Sequence, residues 1–264
     1  MVIWTSRSIS PLAGKRGGDE GLTLLFTDQT SEQELKSRID VAVEERRVIK
    51  DMFARYMSQE VVQSLIETPE LVKPGGAKRQ ATVFFADIRG YTSFSEGKDP
   101  QYIIEVLNAY FGAAVEIVIK HRGYIDKFIG DCIMAAWGVP LQSEAEDAFH
   151  AVSCALEIQQ LVASEKRKFF KGDAEHLKIG IGMHTGPLVA GNLGSSRRMD
   201  YSVIGDTVNV AARLEGVAKA GDVIITQNTT DLIGDAFKLK KLKPVSVKGK
   251  TEPIPIYRVL DRAS

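Results

Sequence analysis

The sequence predicts an α+β fold: a ferredoxin-like βαββαβ core with extra C-terminal strands, preceded by a helical or coiled-coil linker. Three observations carry this. From about Arg79 onward, strand-length apolar runs and helix-period segments follow the order strand, helix, strand, strand, helix, strand, which is the ferredoxin-like order. Ahead of them lies a polar, helix-favouring stretch with a seven-residue repeat. The composition, 264 residues with 44% hydrophobic and 26% charged, is that of an ordinary globular chain and excludes collagen, a disordered polyampholyte and a disulfide scaffold.

The elements follow in order. Residues 1–20 are rich in Gly, Ser and Arg and are expected to be loose; Gly21–Phe26 reads as one short strand. From Thr30 to about Ile66 the chain favours helix. Leu35, Ala42, Ile49 and Tyr56 are spaced by seven, and Ile39, Arg46 and Phe53 fill the complementary seam. This describes either a coiled coil with one charged core position or an amphipathic helix packed on its own domain. Pro69 and then Lys73–Ala77 end it. Ala81–Ala86 is a buried strand. Asp99 caps a helix with Pro100 at its first position, and Ile103, Leu107, Tyr110, Phe111, Ala114 and Ile117 form its apolar face. Tyr124–Ile129 and Cys132–Trp137 are strands joined by Gly130-Asp131, a hairpin signal. A second helix is expected over Ser143–Phe169, then strands at Leu177–His184, Leu188–Leu193 and Met199–Ile204. A helix from Thr207, a strand at Val223–Thr226 and a basic, strand-rich tail complete the chain.

Charge and cysteine usage narrow the function. Thirty-four basic residues balance 34 acidic ones, which argues against a nucleic-acid partner. Cys132 and Cys154 lie in apolar stretches and read as free thiols in a reducing compartment. The richest apolar stretch, Ile103–Ile119, is interrupted by Glu105, Asn108 and Glu116, and the start lacks the order of a signal peptide. The expectation is a cytoplasmic chain, or the cytosolic part of a larger or membrane-attached protein.

Two constellations carry chemistry. Asp87 follows a buried strand and Asp131 sits in the hairpin turn. Carboxylates there suit a hard cation such as Mg²⁺; singly, each is also a common cap or turn residue. Asn209 and Arg213, four apart, share one helical face. An amide and a guanidinium so placed can hold a sugar oxygen and a phosphoryl group, or form a solvent face with a salt bridge. His184, between Gly182 and Gly186 on a strand, reads as structural. Gly249-Lys-Thr251 has the end of a phosphate-binding loop, but Pro244 stands where that motif needs Gly and no helix follows.

Five segments then occur in order: Phe85-Ala-Asp-Ile-Arg-Gly-Tyr-Thr92, Asp126-Lys-Phe-Ile-Gly-Asp131, Gly182-Met-His-Thr-Gly186, Tyr201-Ser-Val-Ile-Gly-Asp-Thr-Val-Asn-Val-Ala-Ala-Arg213 and Val247-Lys-Gly-Lys250. Together they closely resemble the class III nucleotidyl cyclase catalytic domain of bacterial adenylate cyclases, over about residues 79–260. Phe53–Val62 resembles the segment that commonly precedes such domains, and Gly21–Thr30 resembles the last strand of a PAS sensor domain. The resemblance implies three parts: 1–30, an N-terminal tail or sensor-domain remnant; 31–78, a helical linker; and 79–264, the catalytic domain. Gly17-Gly-Asp-Glu20 is similar to a diguanylate cyclase signature, but Gly21 rather than Phe follows it, and it is read as chance.

The resemblance also implies roles. Asp87 and Asp131, with the Ile88 carbonyl, would hold two divalent metal ions, Mg²⁺ or Mn²⁺. Lys127 would read the purine, as in adenylate rather than guanylate cyclases. Ser202 falls at the second purine-reading position, usually Asp or Thr, with Asp200 as the competing reader. Asn209 would orient the ribose and Arg213 stabilise the transferring phosphoryl group. Lys248, or else Lys250, would bind the triphosphate. The implied function is conversion of ATP to cyclic AMP and pyrophosphate by a homodimer with shared active sites, under an upstream sensor domain. A guanylate cyclase and a non-catalytic nucleotide-binding regulatory domain are the alternatives.

Overall fold

The computed structural model describes residues 4–12, 21–28, 30–53, 75–139, 146–164, 170, 172–195, 198–247 and 252–263. The chain divides into two units, Met1–Tyr56 and Met57–Ser264. In the first, β1 (Trp4–Leu12) and β2 (Gly21–Asp28) pair antiparallel, and α1 (Thr30–Phe53) follows. The expectation of a loose start is thus corrected over Trp4–Leu12. Serine-rich segments have little strand preference of their own; pairing with β2, which sets Ile9 opposite Leu24, gives the backbone its hydrogen bonds. On α1 the described apolar residues of the expected seam, Leu35 and Ile39, are 60% and 53% exposed. The remainder of the linker expectation, residues 54–66, lies outside the described residues, as do Gly17–Glu20 and 248–251.

The second unit runs β3 (Gly75–Arg89), α2 (Tyr91–Ser95), α3 (Pro100–Lys120), β4 (Tyr124–Ile129), β5 (Cys132–Trp137), α4 (Asp147–Ser164), β6 (Lys178–Ser195), β7 (Arg198–Ile204), α5 (Asp206–Val217), β8 (Val223–Thr226), α6 (Gln227–Ile233), β9 (Phe237–Lys241) and β10 (Ile256–Arg262). The sheet order is β4-β5-β3-β6-β8-β10-β9, with β7 also beside β6. Strands β3 to β6 and their two long helices form the expected ferredoxin-like core, and β7 to β10 are the extra strands.

Alternation along β3 sorts its side chains onto two faces. Phe84, Ala86 and Ile88 join a large core with α3 and α4 residues, while Ala81, Val83 and Phe85 join a second core that reaches Ala211 of α5. Asp99 caps α3 as expected, accepting from the N–H groups of Gln101 at 2.8 Å and Tyr102 at 3.1 Å. By length and composition α3 could cross a membrane, but it buries Val106, Tyr110, Ala114, Ile117 and Val118 in the larger core. Cys132 and Cys154 are free and buried, and burial pushes both thiols up.

Two expected strands prove to be one. The break anticipated between His184 and Leu188 is absent, and β6 runs on through Pro187. On one side β6 keeps its ladder with β3 throughout. On the other, β8 pairs only as far as Met183 and β7 begins at Val189. Pro187 therefore falls in an edge-like gap, where proline is tolerated. His184 is buried, with Nδ1 2.7 Å from Thr226 Oγ1, and joins β6 to β8.

Gly182 decides how closely α5 lies on this sheet. A Cβ there would run into the α5 backbone at Glu215, whereas Gly112 on α3 has nothing within 4 Å. Gly182→Ala is expected to cost about 1–3 kcal/mol in denaturant unfolding, as overpacking does. Gly112→Ala, at an exposed helical site, should instead stabilise by about 0.5–1 kcal/mol. Equal effects at the two positions would contradict this packing.

Candidate active site

The carboxylates come together because β5 lies beside β3. Ala86 pairs with Ile133, so the β4–β5 turn arrives next to Asp87 and Ile88. Gly130 takes φ +63° in that turn, a conformation glycine adopts without cost. Asp87 and Asp131 lie close enough for each to act on the other, and the Ile88 backbone favours the ionised Asp131. Burial, then the Asp131 charge, push the Asp87 pKa up to about 6, against the pull of Arg89. Burial likewise raises Asp131. Among the described residues no group of three or more His, Cys, Asp or Glu could hold a metal. Two carboxylates nonetheless fit Mg²⁺, which is commonly held by one or two of them together with substrate phosphates.

Arg89 is a site residue that the sequence reading missed. Its Nη1 lies 2.6 Å from Asp87 Oδ2 and its Nη2 2.6 Å from Glu215 Oε1; Nε donates to the Ala218 carbonyl at 3.0 Å and Nη2 to that of Glu215. Gly180 leaves room for the guanidinium. The available signal was spacing: Arg89 is two residues beyond Asp87 on a strand, hence on the same face. Its partner Glu215 is 126 residues away, and no local pattern points to it.

Lys127 and Ser202 also meet. Lys127 Nζ donates to Ser202 Oγ at 3.1 Å. The Ser202 hydroxyl donates to Asp126, with Oδ2 at 2.7 Å and Oδ1 at 3.0 Å, and the Val203 N–H donates to Oδ2 at 3.1 Å. Lys127 Nζ is 3.1 Å from Asp126 Oδ1. Tyr124 ties the same strands, its hydroxyl donating to the Tyr201 carbonyl at 2.8 Å. Asp200, the competing reader, is exposed opposite Leu193, while Ser202 is buried.

Asn209 and Arg213 lie on α5, whose buried face is Thr207, Val210, Ala211 and Leu214. Both are exposed. Lys248 and Lys250 lie outside the described residues. The structure thus joins Asp87 with Asp131, and Lys127 with Ser202, and presents Asn209 and Arg213 side by side on an open helix face.

Comparison with known proteins places the chain in a family. The family model described as the adenylate and guanylate cyclase catalytic domain matches residues 75–259. An adenylate cyclase of Anabaena cylindrica is 34% identical over 241 residues, covering 87% of this chain and 47% of that protein. The crystal structure of the adenylyl cyclase CyaB from P. aeruginosa is 36% identical with a TM-score of 0.67, covering 71% of this chain and 96% of that one. The guanylyl cyclase Cya2 is 35% identical with a TM-score of 0.66, covering 72% and 95%. The chain spans between about a tenth and a half of the length of the curated adenylate cyclases it matches.

The raised Asp87 pKa has a definite sign for stability. In the cation-free protein the folded chain favours the protonated carboxyl. That contribution is complete below the ordinary value of 3.8 and is lost as pH rises through about 6. Unfolding free energy in a chelator should therefore fall across that window, and fall less in Asp131→Asn, which removes the neighbouring charge. Denaturant melts from pH 4 to 7.5 on both proteins measure the difference; identical pH slopes would contradict the coupling.

Proposed function

The chain belongs to the adenylate and guanylate cyclase catalytic domain family, and we propose that it is an adenylate cyclase, converting ATP to 3′,5′-cyclic AMP and pyrophosphate in a homodimer with shared active sites. The contact between Lys127 and Ser202 carries this reading. An ammonium only donates, which suits the adenine N1 acceptor, and a hydroxyl oxygen can accept from the 6-amine. Guanine presents the opposite polarity, an N1–H donor and an O6 acceptor.

Asp87 and Asp131, with the Ile88 carbonyl, are the proposed ligands of two Mg²⁺ or Mn²⁺ ions. Two carboxylates that burial raises, one of them raised further by its neighbour's charge, fit a divalent cation, whose charge would relieve that strain. Bound ions of this kind neutralise charge on a triphosphate and lower the pKa of a ribose hydroxyl. Asn209 orients the ribose so that its 3′-oxygen faces the α-phosphorus in line with the leaving pyrophosphate. As the 3′-oxygen–phosphorus bond forms and the bond to pyrophosphate breaks, the hydroxyl proton is lost to solvent. Arg213 meets the charge that builds on the transferring phosphoryl oxygens. Lys248, with Lys250 as the alternative, binds the triphosphate.

The exposed Asn209 and Arg213 support a shared site, in which α5 of one chain serves the carboxylate pair of its partner. The exposed Leu35 and Ile39 of α1 support a parallel helical linker, one that ends before β3 begins at Gly75 rather than at 78 as expected. It would connect the catalytic domain, from β3 onward, to sensor-domain sequence. ATP as substrate fits a cytoplasmic chain or the cytosolic part of a larger or membrane-attached protein, and the balanced charge fits a reaction without nucleic acid.

Incubation of the protein with ATP or GTP and Mn²⁺ should give cyclic AMP as the main product. Asp87→Ala and Arg213→Ala should each lower the rate at least about 100-fold. Their mixture should recover roughly a quarter of wild-type activity, since random pairing gives half mixed dimers with one intact site each. Cyclic GMP as the main product would favour a guanylate cyclase. No cyclic product would favour a regulatory domain, and failure of verified mixed dimers to complement would place the site within one chain.

A further inference from the structure

Asp126 has no role in the reaction as derived so far, yet its placement is unusual. In the β4–β5 ladder Ile125 faces Ala135 and Lys127 faces Met134, so Asp126 is the extra residue of a β-bulge. In a regular strand, neighbours point to opposite faces, and Asp126 and Lys127 could not both reach the same partner. The bulge turns both toward Ser202. The Asp126 side chain is 0% exposed, which is costly for a carboxylate without partners. Here it faces the Ser202 hydroxyl, the Val203 N–H and Lys127 Nζ.

These contacts fix the polarity of Ser202. A serine hydroxyl has one proton and two lone pairs, and alone it serves a donor or an acceptor equally well. An ionised carboxylate only accepts, and both Asp126 oxygens lie within 3.0 Å of Ser202 Oγ, so the proton is committed to Asp126. Lys127 occupies one lone pair, leaving the other as the only group Ser202 can turn toward a base.

The geometry points to Asp126 as the residue that sets adenine over guanine, by holding the Ser202 proton so that the serine meets the purine 6-position only as an acceptor. The 6-amine of adenine satisfies that acceptor, whereas the 6-carbonyl of guanine meets lone pair with lone pair. Asp126 does not touch the base; it is a positioning residue acting through Ser202 and, by its ion pair, Lys127. The inference rests on the reading that Lys127 and Ser202 face the purine.

The test is the ratio of kcat/KM for ATP to that for GTP in wild type, Asp126→Asn, Ser202→Ala and the double variant. Asparagine keeps an acceptor for Val203 but offers an amide donor to Ser202, freeing the serine proton. Asp126→Asn should lower the ratio about tenfold, the order of one hydrogen bond, and should add nothing in the Ser202→Ala background. An equal fall for both nucleotides, or an additive effect in the double variant, overturns the role of Asp126. A ratio that Ser202→Ala leaves unchanged overturns the underlying reading of Ser202 instead. If Asp126→Asn does not fold by circular dichroism, the comparison is made on Asp126→Ser; loss of folding in both assigns Asp126 to structure alone and overturns the proposal.

Discussion

The ladder between β3 and β6 is the constraint on which the rest of the larger unit depends. It runs without interruption from Gly75 opposite Asn192 to Arg89 opposite Lys178. Because both faces of β3 are covered, its side chains from Ala81 to Ala86 are apolar on both sides except Thr82, whose buried hydroxyl bonds that of Thr185 at 2.8 Å, and only at its end does a carboxylate emerge, at Asp87. With β6 holding one edge of β3, β5 takes the other and brings Asp131 to the same end. The flanks follow from the length of β6. Its first half pairs with β8 and its second with β7, and β7 carries Ser202 toward the bulged strand β4.

Charge compensation at the end of this ladder is as specific as the packing. Asp87, Asp131 and Glu215 are all raised first by burial, and Arg89 is the cation that bridges two of them. Removing one member of such a partly buried network leaves the others uncompensated, which costs more than the network gains by forming. Arg89 also binds carbonyls at the C-terminal end of α5. The carboxylate end of the sheet and the helix that presents Asn209 and Arg213 are therefore fixed to each other within one chain. In the proposed dimer they would serve different sites, so this latch would set the geometry of both.

Two polar devices thus act on the same principle. Arg89 and Asp126 are partly or fully buried charges whose value lies in orientation rather than in net stability. Each locks a neighbour, the Asp87 carboxylate or the Ser202 hydroxyl, into one of the states open to it. Support of this kind, from rigid strands rather than loops, is what allows a site to hold its geometry.

Much was legible in the sequence by itself. The βαββαβ order of the core, the hairpin Tyr124–Trp137, the Asp99 cap and the shared face of Asn209 and Arg213 all follow from periodicity and turn chemistry within a few residues, whereas the short helices α2 and α6 were not expected. The motif residues Asp87, Asp131, Lys127 and Ser202 were legible because their residue types and order are distinctive. Tertiary structure alone decided four things: that Trp4–Leu12 is a strand, that β6 passes through Pro187, that Arg89 reaches Glu215, and that Asp126 turns inward beside Lys127. The first two depend on which backbone lies alongside, since a ladder supplies or forgives hydrogen bonds that local preference cannot. The last two join residues 126 and 76 positions apart. The bulge that aims Asp126 breaks the two-residue period on which any strand reading relies, so its direction was fixed only when β4 met β5 and β7.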